Sequence, residues 1–229
     1  MKPKYSDYSI HYRDMNPEQV QRARDSLVKR IESFRLRLDL EKIVPRIRGP
    51  RVLDFPIGTG RFYPHLLGRF EVYGYDISGP YIALAKRSHL DIADRFAVCS
   101  FEEINDKGEF DTVVTLRALN NIHDLERAVR NISSIIKPGG RWIFNFPPTH
   151  ERVSDLPCIL AESGLLVIER MTYDLHAGNR SFGRIGAAVY ARFLGLIERG
   201  LIPYAVYRIV ESLFACHGTF LFICEKRRP

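Results

Sequence analysis

The sequence predicts an α/β domain built around a mostly parallel β-sheet. Three observations predict it. Short apolar runs rich in β-branched residues alternate with helical patterns from residue 51 to residue 172. The first run, "RVLDF", meets an acid at Asp54 and opens into "PIGTG", a glycine turn of the kind that holds a ligand beyond the carboxyl end of a strand. A connection of about 45 residues, too long for a plain loop, separates the sixth strand candidate from the seventh.

The elements follow in order. "NPEQVQRARDSLVKRIESFRLRL" offers Asn16 as N-cap and Pro17 at the first helical position. Val20, Ala23, Leu27, Ile31, Phe34 and Leu38 then recur every three or four residues, one face of a helix. "RVLDF" is the first strand and "TGRFYPHLLGR" a helix, with Pro64 near its first turn. "EVYGYDI" is the second strand, "GPYIALAKRS" a helix and "RFAVCS" the third strand. "FDTVVTL" is the fourth strand. "LERAVRNISSIIK" is a helix, closed by "KPGG" with a glycine beyond its end. "RWIFNF" is the fifth strand, "VSDLPCILAESG" a broken helix, "LLVIERMTY" the sixth strand and "TFLFICEK" the seventh. The chain is read as one domain: a helical cap at 1–47, a core at 50–172 and 219–226, and a helical insertion at 173–218.

Composition narrows the class. A chain of 229 residues with 45% apolar and 27% charged residues buries a full core without staples. Cys99, Cys158, Cys216 and Cys224 form no C-x-x-C pair and no cluster with histidine, so no metal site is expected. Cys99 and Cys224 read as buried thiols. The start has no apolar signal region, and no uncharged apolar stretch is long enough to span a bilayer, so a cytoplasmic setting is expected. The net charge of +7 has two readings: attraction to a phosphate-bearing partner, or a generally basic surface. The basic residues are spread along the chain apart from "EKRRP" near its end.

The glycine turn selects among ligands. A dinucleotide fingerprint is G-x-G-x-x-G, and here Pro56 and Tyr63 stand where that pattern needs glycine. Asp54 lies at the turn, where it repels a pyrophosphate and attracts a cation. Asp76 ends the second strand, where a carboxylate accepts from both hydroxyls of a ribose. S-adenosylmethionine, with a ribose, a sulfonium, an ammonium and no phosphate, suits both acids.

On these residues the chain resembles the class I S-adenosylmethionine-dependent methyltransferases. "VLDFPIGTGRF" resembles that family's glycine motif and "VYGYDIS" its ribose-binding acid. "FDTVVTLRALNNIHDLERAVRNISSIIKPGGRWIF" resembles its stretch from fourth to fifth strand, and "LAESGLLVIERMTY" its run into the sixth. The resemblance implies a Rossmann-like sheet of seven strands, the last antiparallel, with helices on both faces. It implies that Gly58, Thr59 and Gly60 pass beneath the methionyl part of S-adenosylmethionine, with Pro56 and Arg61 flanking them, and that Asp54 binds its amino group. It implies further that Asp76 holds the ribose, that Ile77, Ser100 and Phe101 border the adenine, and that Leu116 and Arg117 sit near the methionyl end. The family commonly has glycine where this chain has Pro56, and aspartate where it has Ser100.

The acceptor is less defined. Methyl transfer is an in-line displacement served by positioning, and a hydroxyl acceptor also benefits from a base. His123 and His150 are the candidates, each also readable as a loop or capping histidine. Tyr5, Tyr8, Tyr12 and Arg13 form an aromatic, basic segment that either contacts substrate over the cofactor or packs as a tail. An Asn-Pro-Pro-aromatic motif for base amino groups is absent after the fourth strand, and Pro157-Cys158 lies on a helix and reads as packing rather than as a nucleophile. In the insertion, Arg184, Arg192 and Arg199 form one narrow polar stripe and Arg208, Glu211 and Ser212 another, leaving wide apolar faces. Those faces either shape a pocket for a hydrophobic, lipid- or glycan-linked acceptor, with peripheral membrane contact through the arginines, or pack as core or as a homodimer interface. The expected function is methyl transfer to oxygen or nitrogen of such an acceptor or of a small molecule. The alternatives are an RNA methyltransferase and a non-catalytic binding subunit.

Overall fold

The structure, a computed structural model, describes residues 29–58, 60, 62–105, 107–119, 122–147, 150–174, 192–197, 199–213 and 219–228, with Asn16 and Val189. Seven strands form one sheet in the order β3-β2-β1-β4-β5-β7-β6. They are β1 Arg51–Asp54, β2 Glu71–Asp76, β3 Phe96–Val98, β4 Phe110–Thr115, β5 Ile136–Phe146, β6 Leu165–Asp174 and β7 Thr219–Lys226. β1 to β5 pair in parallel, while β7 runs antiparallel to both β5 and β6. The strand order reverses at β1 and β4, so the crevice for a ligand opens beyond the carboxyl ends of those strands.

Helices lie on both faces. One core contains Leu38 and Ile43 at the end of helix α1 (Lys29–Lys42), Ile82 and Ala85 of α2 (Gly79–Ser88), and Val52, Val72 and Val114 of the sheet. The other contains Ala128, Val129 and Ile132 of α3 (Leu125–Ile135), Ile159 and Leu160 of α4 (Leu156–Glu162), and Leu53, Val113 and Trp142. Successive strand side chains alternate between the two cores, as the strand period of two requires. Ser78 caps α2 by accepting from Tyr81 N–H, and Asp124 caps α3 by accepting from Arg127 N–H.

Four expectations change. The helix expected from "TGRFYPHLLGR" is a single 3-10 turn at Tyr63–His65, because Pro64 fits a first turn and Gly68, at φ +76°, ends the run. "KPGG" does not close α3 from outside: Ile136 is already extended, and residues 136–140 form the start of β5, irregular where its register on β4 shifts. Gly140 is needed there, since a Cβ would stand 2.8 Å from the Asp111 carbonyl. α4 is unbroken, since Pro157 falls in its first turn, where its missing N–H costs nothing. Cys158 is exposed on α4 beside Glu162 and does not pack, whereas Cys224 is buried and its thiol is pushed up to about 12 by burial.

The insertion is described at 192–197 and in helix α5 (Tyr204–Leu213). Leu194, Ile197 and Tyr207 are buried in the same core as Leu38, Tyr173 and Leu221. Its apolar face is thus largely committed to the sheet. Arg192 and Arg199 are exposed. Among the described residues no helix is long and apolar enough to cross a membrane. The expected helix start at Asn16–Pro17 lies, apart from Asn16, outside the described residues, as do Arg184 and the side chains of Arg208, Glu211 and Ser212.

Candidate functional site

The site is built at the tips of β1, β2 and β4. Asp54 faces the same side of the sheet as Val52, and Asp76 the same side as Val72. Both acids are nearly inaccessible, at 4% and 3% exposure. Between them runs the glycine turn. Ile57 N–H donates to the Tyr75 carbonyl at 2.8 Å, which ties the turn to β2. Gly58 N–H then donates to Asp76 Oδ2 at 2.8 Å, and Ser78 N–H donates to Asp76 Oδ1 at 2.9 Å. Asp76 therefore holds the turn and the start of α2 together, each oxygen keeping a second lone pair for a ligand.

Glycine is required by conformation. Gly58 and Gly60 have φ of +55° and +69°, the left-handed region that side chains resist. A Cβ at either position meets no atom of the described residues within 4 Å, so among them the backbone here borders open space. Gly74, in β2, has the opposite role. A Cβ there would fall 2.2 Å from Ile57 Cδ1 and 2.8 Å from Phe96 Cδ1, so its absence lets the turn lie down on the sheet.

The electrostatics are unusual. Burial is the main force holding the Asp54 carboxyl well above its ordinary range, and the charges of Asp39 and Asp76 add to it, while Arg117 opposes them. Burial also raises Asp76, against the two backbone N–H bonds that lower it. Asp39, from α1, is fully buried and accepts from Arg117 Nη1 at 3.2 Å and Nη2 at 2.9 Å. Arg117 Nη2 also donates to the Tyr173 hydroxyl at 2.8 Å, and that hydroxyl donates to Asp39 Oδ1. Arg117 is thus bonded to Asp39, and only its charge reaches Asp54, whose carboxylate neighbours favour a positively charged ligand beside it.

The structure brings together Asp54, Pro56, Gly58, Gly60, Asp76, Ile77, Ser100, Leu116 and Arg117 of the residues expected at the site. Pro56 follows a cis peptide bond. Ile77 is half-buried at the tip of β2 and Ser100 is buried after β3. Phe101 turns its ring away and stacks on Phe55 in the α3 core, centroids 4.0 Å apart. His123 is exposed before α3. The His150 ring lies tilted against Phe146, and its Nδ1 accepts from Arg152 N–H at 3.0 Å. That bond puts the proton of the neutral ring on Nε2, so His150 offers a donor rather than a base in this arrangement. Burial lowers its pKa, which keeps the ring neutral. Thr59, Arg61, Tyr5, Tyr8, Tyr12 and Arg13 lie outside the described residues. Sequence reading missed Asp39 and Tyr173. Asp39 sits between two leucines in "LRLDLEK", which carries no local sign that the acid faces inward.

Comparison with known proteins agrees with this geometry. Residues 52–140, from β1 through the start of β5, match a family model described as a methyltransferase domain. The ubiquinone biosynthesis O-methyltransferase of Ralstonia nicotianae is 27% identical over 204 residues, covering 85% of this chain and 83% of that protein. Among solved structures, the complex of the Haloferax volcanii Trm112 methyltransferase activator with a putative methyltransferase aligns over 100% of both chains, with TM-score 0.61 and 16% identity. A Haemonchus contortus phosphoethanolamine N-methyltransferase, solved with phosphomonomethylethanolamine and S-adenosylhomocysteine, aligns over 86% of this chain and 53% of its own, with TM-score 0.54 and 19% identity. At those identities the two structures show the shared fold alone.

Proposed function

We propose that this chain, a class I S-adenosylmethionine-dependent methyltransferase, binds S-adenosylmethionine at the Asp54–Gly60 turn and methylates a hydroxyl of a small, largely apolar acceptor. One observation carries the reading: two buried acids, Asp54 and Asp76, flank a glycine turn whose backbone borders open space among the described residues. The residues fit the cofactor. Asp76 has lone pairs left for ribose hydroxyls after holding Gly58 and Ser78. Asp54 sits where excess negative charge suits an ammonium. Ile77 and Ser100 supply an apolar edge and a hydroxyl for the adenine.

When bound, the cofactor supplies an electrophilic methyl group on sulfonium. The protein's task is then to align the acceptor oxygen and to keep water away. The insertion residues Leu194, Ile197 and Tyr207, buried in the core on the α1 side, support an apolar acceptor on that side. The O-methyltransferase relative supports oxygen over nitrogen. His150 is assigned to orienting the acceptor through its Nε2 proton, since its Nδ1 is already used by the backbone. Val189, Leu201 and Ile209 of the insertion are exposed at 65%, 67% and 60%. Together with exposed Arg192 and Arg199 they support peripheral contact with an anionic lipid surface that carries the acceptor.

The test is direct. Titration calorimetry should give binding of S-adenosylmethionine to the purified chain, and labelled methyl groups should pass to apolar phenols more readily than to polar amines. Absence of cofactor binding overturns the reading, and transfer to amines alone overturns the choice of oxygen. Sedimentation with anionic vesicles at low salt, lost at high salt, supports the lipid contact; no association at either salt removes it.

A further inference from the structure

We propose that Asp39 is a positioning residue: by gripping the Arg117 guanidinium it keeps that cation away from Asp54 and so reserves the Asp54 carboxylate for the ammonium end of the cofactor. The inference rests on the cofactor reading above and adds a residue that does not itself touch the ligand.

Three observations converge on it. β1 and β4 are neighbours, with Asp54 beside Val114 in register, so Arg117 emerges from β4 three residues beyond the acid's partner. At that position the charge of the arginine reaches the Asp54 carboxyl. Left alone, a guanidinium beside a buried carboxylate pairs with it in two parallel bonds. Such a pair would compete with any cationic ligand for the same oxygens.

The structure directs Arg117 elsewhere. Its backbone takes φ +60°, a left-handed conformation that a non-glycine residue resists. The Arg117 N–H is fixed in that turn by Asn145 Oδ1 at 2.5 Å. The guanidinium then meets Asp39 through both Nη atoms, and Tyr173 bonds to both partners. Asp39 has 1% of its side chain exposed and Arg117 23%, so the pair is held in low dielectric, where its geometry is stiff. Its members come from α1, the β4 tip and the end of β6, three elements far apart in the chain.

The experiment measures affinity for two ligands. S-adenosylmethionine carries the ammonium; 5′-methylthioadenosine has the same adenine and ribose without it. Asp39→Asn is expected to weaken S-adenosylmethionine about tenfold, the equivalent of 1.4 kcal/mol, and to leave 5′-methylthioadenosine within about twofold. Adding Arg117→Gln to Asp39→Asn removes the competing cation and is expected to restore most of the loss. A merely structural role for Asp39 would weaken both ligands alike and would not be rescued. Tyr173→Phe, which keeps the ring and deletes one holding group, serves where Asp39→Asn does not fold; about threefold loss for S-adenosylmethionine alone is expected, again reversed by Arg117→Gln. Unchanged affinity in the variants, parallel loss of both ligands, or failure of rescue overturns this inference and leaves the cofactor site standing. No binding of either ligand by the wild-type chain overturns both.

Discussion

Replacing Gly74 by alanine tests how the sheet supports the glycine turn. The added methyl would stand 2.2 Å from Ile57 Cδ1, 2.8 Å from Phe96 Cδ1 and 3.1 Å from Ile57 Cγ1. Gly74 is paired with Asp54 on one side and Phe96 on the other, so the strand has no room to retreat. The Phe96 ring is buried against Tyr63, centroids 5.1 Å apart, and does not yield easily. Ile57 is the softer neighbour, and moving it drags the turn whose N–H bonds reach Tyr75 and Asp76. Overpacking of this kind costs about 1–3 kcal/mol. For a chain of this size that lowers the melting temperature by roughly 2–12 °C. If about 1 kcal/mol of the strain is relieved by displacing the turn, cofactor affinity falls about fivefold, because binding must bring the turn back. Thermal melting and calorimetry read the two effects. Ile57→Val deletes the Cδ1 atom and alone costs about 0.5–1.5 kcal/mol, yet added to Gly74→Ala it is expected to recover stability. An unshifted melting point in Gly74→Ala, or full additivity in the double variant, would refute the contact reasoning.

Three further outcomes are expected. Asp76→Asn should weaken S-adenosylmethionine by roughly 1–3 kcal/mol in calorimetry, through lost acceptors for the ribose, and equal affinity would contradict that role. Asp54→Asn should melt higher than the wild type at neutral pH without ligand yet bind the cofactor at least about tenfold more weakly. The sign follows from Asp54's raised value: its stability contribution is full below its ordinary value of 3.8 and is lost as pH rises through the raised folded value. The gap between variant and wild type should therefore close as pH falls toward that ordinary value, and a gap independent of pH would refute it. Tyr63→Phe removes a buried hydroxyl that has no hydrogen-bond partner among the described residues and whose pKa burial pushes to about 12. It should leave stability unchanged or raise it by up to about 1 kcal/mol, and a loss larger than that in chemical denaturation would show a partner for the hydroxyl.

Most of the sheet was legible because its signals are local. β2, β4 and β7 were marked by β-branched and aromatic runs, and α2 by the helical pattern of "GPYIALAKRS". Asp54, Gly58, Gly60 and Asp76 were legible because strand tips and turns leave fixed spacing in sequence. "KPGG" was misread because a glycine pair reads the same at a helix end and within an irregular strand; only pairing of Ile136 with Phe110 decides it. Asp39 was not legible, for a related reason. On an amphipathic helix an acid beside two leucines is ordinarily solvated. Its burial comes from Arg117, 78 residues away, and Tyr173, 134 away. Phe101 follows β3 as its place in the sequence implies, and its stacking on Phe55, far from it in the chain, left no local signal.

The pairing of β1 with β2 explains why two acids serve two ends of one ligand. Asp54 is level with Gly74, so Asp76 lies two residues further along the neighbouring strand. At a rise of about 3.3 Å per residue and a strand spacing of about 4.8 Å, the two Cα atoms stand roughly 8 Å apart. Both side chains leave the same face, so their carboxylates are held at a comparable separation rather than converging. A single cation bound by both would need oxygens within about 2.0–2.6 Å of itself. An extended ligand needs the opposite, two anchors a nucleoside's length apart, with backbone passing closely between them. The left-handed Gly58 and Gly60 provide that close passage. A slip of one residue in β1 would turn Asp54 into the α3 core and Phe55 into the crevice. The register, fixed by Val52 and Leu53 in opposite cores, therefore decides the chemistry of the site.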